Sequence, residues 1–422
     1  MAITISKNTL NQIIFIICVG VPYLDNFELT FAVWSLSALF TLHRTYSVKF
    51  LTYILCFAII LALAFIVMFF HDRQAYYVIR DITYMFKPIL GLMLGYQLLK
   101  NNYKNAFNVL VNAAVVVAVL HILILINAVI FHHAVTVNDL RLYGGYFSDY
   151  EVFALIVLLF HKKFELDLSR QKIFYFTILI ALSACLYLAR TNFIQFAILF
   201  VAMKGYLKVN TKSILVVIST VLLVVIAYST IVYINPKRNG AGIEALLYKI
   251  KIAPVEAFKT KIDPTDWKDL NDNYRSYENI MTVEQLSKKG IFSVIFGEGL
   301  GSKIDLKVTM KLGDKDLRYI SILHNGFMTV FLKTGLLGIC IYIYTIYLLF
   351  KQNRSKFPVI QNINLLLVGT GTFLIFSNWV FMGLYNLRDN KALVIGLLFC
   401  FVEMYRKNNL LPVANVKPEN EQ

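Results

Sequence analysis

The chain of 422 residues is 58% apolar and only 16% charged, and a mean hydropathy of +0.64 excludes a string of soluble domains. Its 41 Lys and Arg against 25 Asp and Glu leave a net charge of +16, but the basic residues lie between hydrophobic runs. Membrane orientation and an anionic ligand explain them better than nucleic acid does.

Hydropathy predicts an all-α polytopic integral membrane protein, a single membrane domain over residues 1–422 with about twelve transmembrane helices, since a bilayer core of roughly 30 Å takes about 20 apolar residues per helix. The runs lie near residues 9–24, 27–42, 50–70, 82–99, 106–130, 146–160, 173–188, 192–207, 213–234, 321–350, 362–384 and 391–405. The first follows MAITISKNTLNQ, which lacks a basic start and a small-residue cleavage site, and reads as an uncleaved helix. All five cysteines, Cys18, Cys56, Cys185, Cys340 and Cys400, fall inside apolar runs, so neither a disulfide framework nor a thiolate metal site is expected.

Alternate loops differ in charge. With the N-terminus cytoplasmic, the loops on its side hold 18 Lys and Arg, from Lys7 to Lys417, and the opposite short loops hold six: Arg73, Arg80, Arg141, Arg190, Arg388 and Lys391. That asymmetry places both termini inside. The long segment 235–320 then lies outside, with 15 Lys and Arg against 12 Asp and Glu, and segments of that length cross regardless of charge. Within it, 241–261 reads as an interfacial amphipathic helix broken at Pro254. Residues 276–296 read as helical, and GEGLGS at 297–302 as a turn. A short polar tail, VANVKPENEQ, closes the chain.

Charged groups in or beside spans cost on the order of 2.5 to 3.5 kcal/mol each, so their positions are informative. Arg190, in LYLARTNFIQ, sits in the tight turn between two spans, either poised for an anion or anchored at the interface. Arg275 precedes Glu278 by three residues, the spacing of a helical ion pair. His324 opens HNGFMTVFLKTGLLGI with Asn325 beside it and Arg318 six residues earlier; a histidine there either caps the helix or accepts a proton near neutral pH. Arg141 precedes Asp149 and Glu151 and either joins the same pocket or pairs with those acids. Arg388 reads as an anchor, and Lys87 and Lys333, inside spans, as snorkelling side chains. The run Asp263, Asp266, Asp269, Asp272 lacks the Gly and terminal Glu of a calcium loop and reads as helix caps and a solvated face.

In order and spacing, ARTNF around Arg190, YRSYENI around Arg275, FGEGLGS and LHNGFMTVFLKTGLLGI around His324 resemble the bacterial O-antigen polymerase and O-antigen ligase superfamily. The resemblance spans roughly residues 140–400. Ala189 stands where that family places Ser or Thr, and Phe327 where Tyr is common. The resemblance implies a polysaccharide polymerase in the bacterial inner membrane, active at its outer face. It would be an inverting glycosyltransferase with an undecaprenyl-pyrophosphate-linked oligosaccharide as donor, without a metal or another cofactor. His324 would be the base, with Arg190 and Arg275 gripping the pyrophosphate; Arg141, Arg318, Glu278 and Asn325 would contact substrate. Implied partners are membrane lipid, a chain-length regulator and a flippase, not nucleic acid. A ligase acting on lipid A-core is the alternative within the class. A transporter of the lipid-linked sugar is the alternative outside it, and would require ionisable groups near the midplane and two related halves.

Overall fold

The computed structural model describes residues 6–146, 148–207, 211–238, 243–256, 258–312, 315–353 and 355–410. The polar tail with Lys417, the basic positions Lys208 and Arg354, and residues 241, 242 and 257 of the 241–261 segment lie outside them.

Seventeen α-helices, four short 3-10 helices and one hairpin make up the regular structure of these residues. In chain order the helices before the hairpin are α1 (Lys7–Gly20), α2 (Phe27–Phe40), α3 (Val48–Met68), α4 (Ala75–Leu98), α5 (Ala106–His132), α6 (Val137–Gly144), α7 (Asp149–Leu159), α8 (Arg170–Leu186), α9 (Arg190–Met203), α10 (Thr211–Ile234), α11 (Ile243–Glu256), α12 (Trp267–Asp272), α13 (Tyr274–Lys289) and α14 (Ile291–Phe296). The antiparallel strands β1 (Ile304–Leu312) and β2 (Lys315–Ile320) follow, then α15 (Gly326–Phe350), α16 (Pro358–Phe381) and α17 (Lys391–Leu410). The fold is all-α apart from that hairpin, which alternation of Ile304, Leu306 and Met310 with exposed residues builds and which the hydropathy reading does not anticipate.

The twelve apolar runs fall on α1 to α5, α7 to α10 and α15 to α17. Among the described residues, four stretches are long and apolar enough to cross a membrane: α3, Lys100–His132 containing α5, α15 and α16. The others are shorter or carry charge. With a 1.5 Å rise per residue, the 14-residue helices α1, α2 and α9 extend only about 21 Å. Helix α7 has 11 residues and is buried from Asp149 to Leu158, a core strut. Exposed Leu, Ile, Val and Phe cover the faces of α3, α5 and α10, a surface suited to lipid contact.

Small residues let helices approach where lipid-like interiors offer little other drive to associate. In GLMLG of α4, a Cβ on Gly95 would stand 1.9 Å from the Leu393 carbonyl oxygen of α17, and one on Gly396 would stand 2.1 Å from that of Leu92. The α4–α17 pair is thereby held backbone to backbone. Side-chain caps fix helix starts locally: Ser47 accepts from Phe50 N, Ser148 from Glu151 N and Ser169 from Lys172 N.

The glycine-rich turn is a packing device. Gly297, Gly299 and Gly301 each take φ +75°, and a Cβ on Gly299 would lie 2.3 Å from Met68 N. Its amides are used: Glu298 N–H donates to Leu332 O (2.9 Å), Gly299 to Lys333 O (3.0 Å), Leu300 to Ala64 O (3.1 Å) and Gly301 to Asp81 Oδ2 (2.7 Å). Opposite the turn, Gly335 (φ 62°, ψ −160°) breaks the helical path of α15. The segment between α11 and α15 encloses a small core of its own around Leu270, Tyr274, Tyr277, Leu306 and Leu323, docked on Leu332 of α15. Helix α11 runs through Pro254, which stands in its last turn, and stops two residues later.

Candidate active site

Four chain segments place guanidiniums at the same end of the bundle. Arg141 lies in the last turn of α6, Arg190 is the first residue of α9, Arg275 the second residue of α13, and Arg388 precedes α17. Arg190 interacts electrostatically with Glu256, Arg275 and Arg141. Burial, and secondarily the Arg275 charge, hold Arg141 below the usual guanidinium range, while Tyr146 opposes the shift. The Arg275 Nη1 donates to Glu256 Oε1 at 3.1 Å, and its guanidinium lies 5.4 Å from the Phe381 ring. Arg141 and Arg388 both lie over the Tyr146 ring, at 5.3 and 5.6 Å, and Arg388 pairs with Asp25 (2.8 Å). The Arg141 Nε is buried without a hydrogen-bond partner.

His324 lies beside this group. Its Nδ1 is 3.0 and 3.1 Å from the two Glu278 carboxylate oxygens, and its backbone N–H donates to Oε2 (3.0 Å). The Glu278 side chain is 1% exposed and that of His324 47%, so a buried carboxylate orients an imidazole open on its other edge. Tyr274 meets the ring edge-on at 5.8 Å; burial, reinforced by Glu278, raises its phenol well above the usual range. The end of α16 ties the parts together. Phe381 packs on Tyr187 and Ala189, next to Arg190, as well as under Arg275, and Met382 N–H donates to His324 O (2.9 Å).

The remaining expected contacts divide. Asn325 is the N-cap of α15, its Oδ1 accepting from Phe327 N and Met328 N, while its Nδ2 is buried without a partner. Arg318 stands apart, on β2, its fork filled by the two carboxylate oxygens of Asp305 at 2.7 and 2.9 Å. No contact joins it to the arginine group, because the hairpin carries it to an exposed strand face.

Several local pairings read from spacing are replaced by distant ones. Glu278 serves His324, so Arg275 turns to Glu256. Asp149 accepts from Asn390 N (3.0 Å) and faces Lys391 (3.7 Å), so it does not pair with Arg141. Lys87 and Lys333 do not snorkel. Lys333 pairs with Asp81 at 2.6 Å with both side chains 1% exposed, and Lys87 donates to the carbonyls of Asn386 (2.7 Å) and Asp389 (2.6 Å). In the aspartate run, Asp266 caps α12, Asp263 accepts from Thr265, Asp269 meets Lys259, and Asp272 meets Arg238. Among the described residues no group of three or more His, Cys, Asp or Glu side chains is placed to hold a metal ion.

Glu256, Tyr146 and Phe381 are site neighbours that the sequence reading passes over. Each sits in an apolar or amphipathic stretch, where nothing local separates a site wall from a lipid-facing or core residue. No family model matches the chain, and no curated protein matches it significantly.

Proposed function

We propose that the protein is an inverting glycosyltransferase of polysaccharide assembly, joining oligosaccharide repeat units carried on a prenyl pyrophosphate, undecaprenyl pyrophosphate in a bacterial inner membrane. One observation carries the reading: Phe381 and Met382 at the end of α16 link an imidazole oriented by a buried carboxylate to Arg275, one of three mutually interacting guanidiniums. A carboxylate accepts, so the Nδ1–H tautomer of His324 donates to Glu278, and in that neutral form Nε2 keeps its lone pair. That nitrogen takes the proton of an acceptor sugar hydroxyl as its oxygen attacks the anomeric carbon opposite the leaving group. The bond from that carbon to the phosphate oxygen breaks, its electron pair leaves with the pyrophosphate, and one displacement inverts the centre. Arg141, Arg190 and Arg275 offer forked donors to the charge that builds on the departing group. The Arg141 Nε–H, buried and unpartnered, is a donor that a phosphate oxygen would satisfy. By the loop charges, this end of the bundle faces outward with twelve spans and both termini inside.

A ligase would share this chemistry and differ in its acceptor, lipid A-core in place of a second repeat unit. The transporter reading draws on the buried charges Asp81, Lys333 and Glu151, which such a protein also requires.

In a strain lacking the gene, complementation with His324→Ala, shown to be inserted at wild-type level, is expected to leave single-repeat lipopolysaccharide. Glu278→Gln is expected to reduce polymer formation by about 10²-fold or more. Polymer at wild-type level from His324→Ala would remove the base from the mechanism and leave the transporter as the better reading. Loss of all polysaccharide from the lipid, with polymer stranded on the prenyl carrier, would make the protein a ligase.

A further inference from the structure

Beneath the arginines lies a second polar cluster that the proposed reaction does not use. Helix α7 begins in the protein interior with Ser148, Asp149 and Glu151 all buried, and Asn390 and Lys391 at the head of α17 meet it. Tyr23, just after α1, is hydrogen-bonded to Ser148 Oγ (2.8 Å) and interacts with Asp149, Glu151 and Asn390, so these groups share one locus. The acceptors outnumber the donors. Asp149 Oδ1, both carboxylate oxygens of Glu151 and Asn390 Oδ1 are buried with no hydrogen-bond partner.

The neighbouring donors are otherwise engaged. Lys391 is bonded to Asp389 and reaches Asp149 only on Oδ2. Lys87 donates to two backbone carbonyls. Asn390 Nδ2 donates to Val19 O (3.2 Å) and Gln195 Nε2 to Asp149 O (3.0 Å). Arg388 is taken by Asp25. The hydroxyls of Ser148, and of Ser183 and Tyr187 from α8, lie close to Glu151, but none forms a hydrogen bond to its carboxylate, and Ser148 and Ser183 already meet Tyr23 (2.8 Å) and His121 Nδ1 (2.8 Å). Three buried carboxylates, Asp149, Glu151 and Asp389, stand against two buried ammonium groups, Lys87 and Lys391, so with all five ionised the cluster lacks one positive charge. An uncompensated buried carboxylate is costly.

We infer that Asp149, Glu151 and Asn390 bind one alkali-metal cation inside the helical bundle, with the Tyr23 and Ser148 hydroxyls beside it. A proton would satisfy one of the four unpartnered oxygens; a cation is attracted by all of them. The donors are all oxygen, which suits a hard ion. A single missing charge matches a monovalent ion, and two carboxylates among otherwise neutral oxygens are too few acids for a multivalent site. The ion would join the starts of α7 and α17 to the end of α1, the floor under Arg141, Arg190 and Arg388.

The test needs no substrate and stands apart from the glycosyltransferase reading. Thermal unfolding of the full chain in detergent is followed while NaCl or KCl replaces choline chloride at constant ionic strength and pH. The wild type is expected to show a saturating rise of about 2 °C in Tm with NaCl, KCl or both. Glu151→Gln, which removes the charge and brings its own donors, is expected to lose that rise, and Asn390→Ala to shift it to higher concentration. An unchanged Tm in the wild type overturns the inference whether or not the variants fold. So does stabilisation by lower pH without cation dependence, which would make the ligand a proton, or an equal cation response in Glu151→Gln.

Discussion

The guanidiniums of Arg141, Arg190 and Arg275 carry more charge than Glu256 returns, and such a grouping is unfavourable unless an anion joins it. Like charges gathered partly out of water repel, and a bound pyrophosphate would relieve that repulsion. Geometry then matters as much as charge. Arg275→Lys keeps the cation but loses the fork and the planar contact with Phe381, and Arg190→Lys likewise keeps the cation and loses the fork. In a reconstituted transfer assay, both are expected to retain partial activity, and Arg275→Ala to fall by about 10²-fold or more. Full activity in Arg190→Ala would make Arg190 an interfacial anchor. Their type and loop position already suggest an anion from the sequence alone. That Arg275 would bind Glu256 and leave Glu278 to the histidine was not legible there, because a three-residue spacing permits a local pair without requiring it.

Among the elements, the glycine-rich turn fixes the height of α15 against α3, and with it the position of His324 at the head of α15. A Cβ on Gly299 would fall 2.3 Å from a backbone nitrogen that cannot swing aside, and φ +75° penalises any L-residue there. Gly299→Ala is expected to destabilise by about 3 kcal/mol or more, read as a lower Tm or a sharply reduced yield of folded protein. Its stability within 0.5 kcal/mol of wild type would show that the turn is looser than this packing. The same turn delivers Gly301 N–H to Asp81, whose other partner is Lys333. Lys333→Met leaves a buried carboxylate unpaired and is expected to cost about 3 to 5 kcal/mol; the double variant with Asp81→Asn should recover part of that loss. A full cost in the double variant would mean that packing, not charge, sets it. The sequence showed a turn at GEGLGS and helices around it. It could not show which backbones approach, since Met68 and Thr334 meet the turn only after α3 and α15 have packed.

Across the whole molecule, loop charge and the two ends of the bundle tell one story. The termini of α1, α4, α6, α9, α13 and α15 that carry the site lie at one end, and Lys49, Lys100 and Lys163 lie at the other, bonded to Gln352, Thr45 O and Met203 O. If the site end faces outward, Thr309→Cys on the exposed side of β1 is expected to react with an impermeant maleimide in intact cells. Asn101→Cys, at the other end, is expected to react only after lysis, both in a background with the native cysteines replaced. The reverse pattern would turn the protein over and exclude an outward site.

Hydrophobic run length is a property of neighbouring residues, so the sequence alone determined a largely helical chain and where its apolar helices lie, though not the hairpin of β1 and β2. Pairing is a property of residues far apart in the chain. Packing of α4 on α17, of the glycine turn on α3 and α15, and of Phe381 between Arg275 and Ala189 decided which carboxylate meets which cation. Burial did the rest, because an ionisable group deprived of water must find a partner, and only the folded chain determines which partner is within reach.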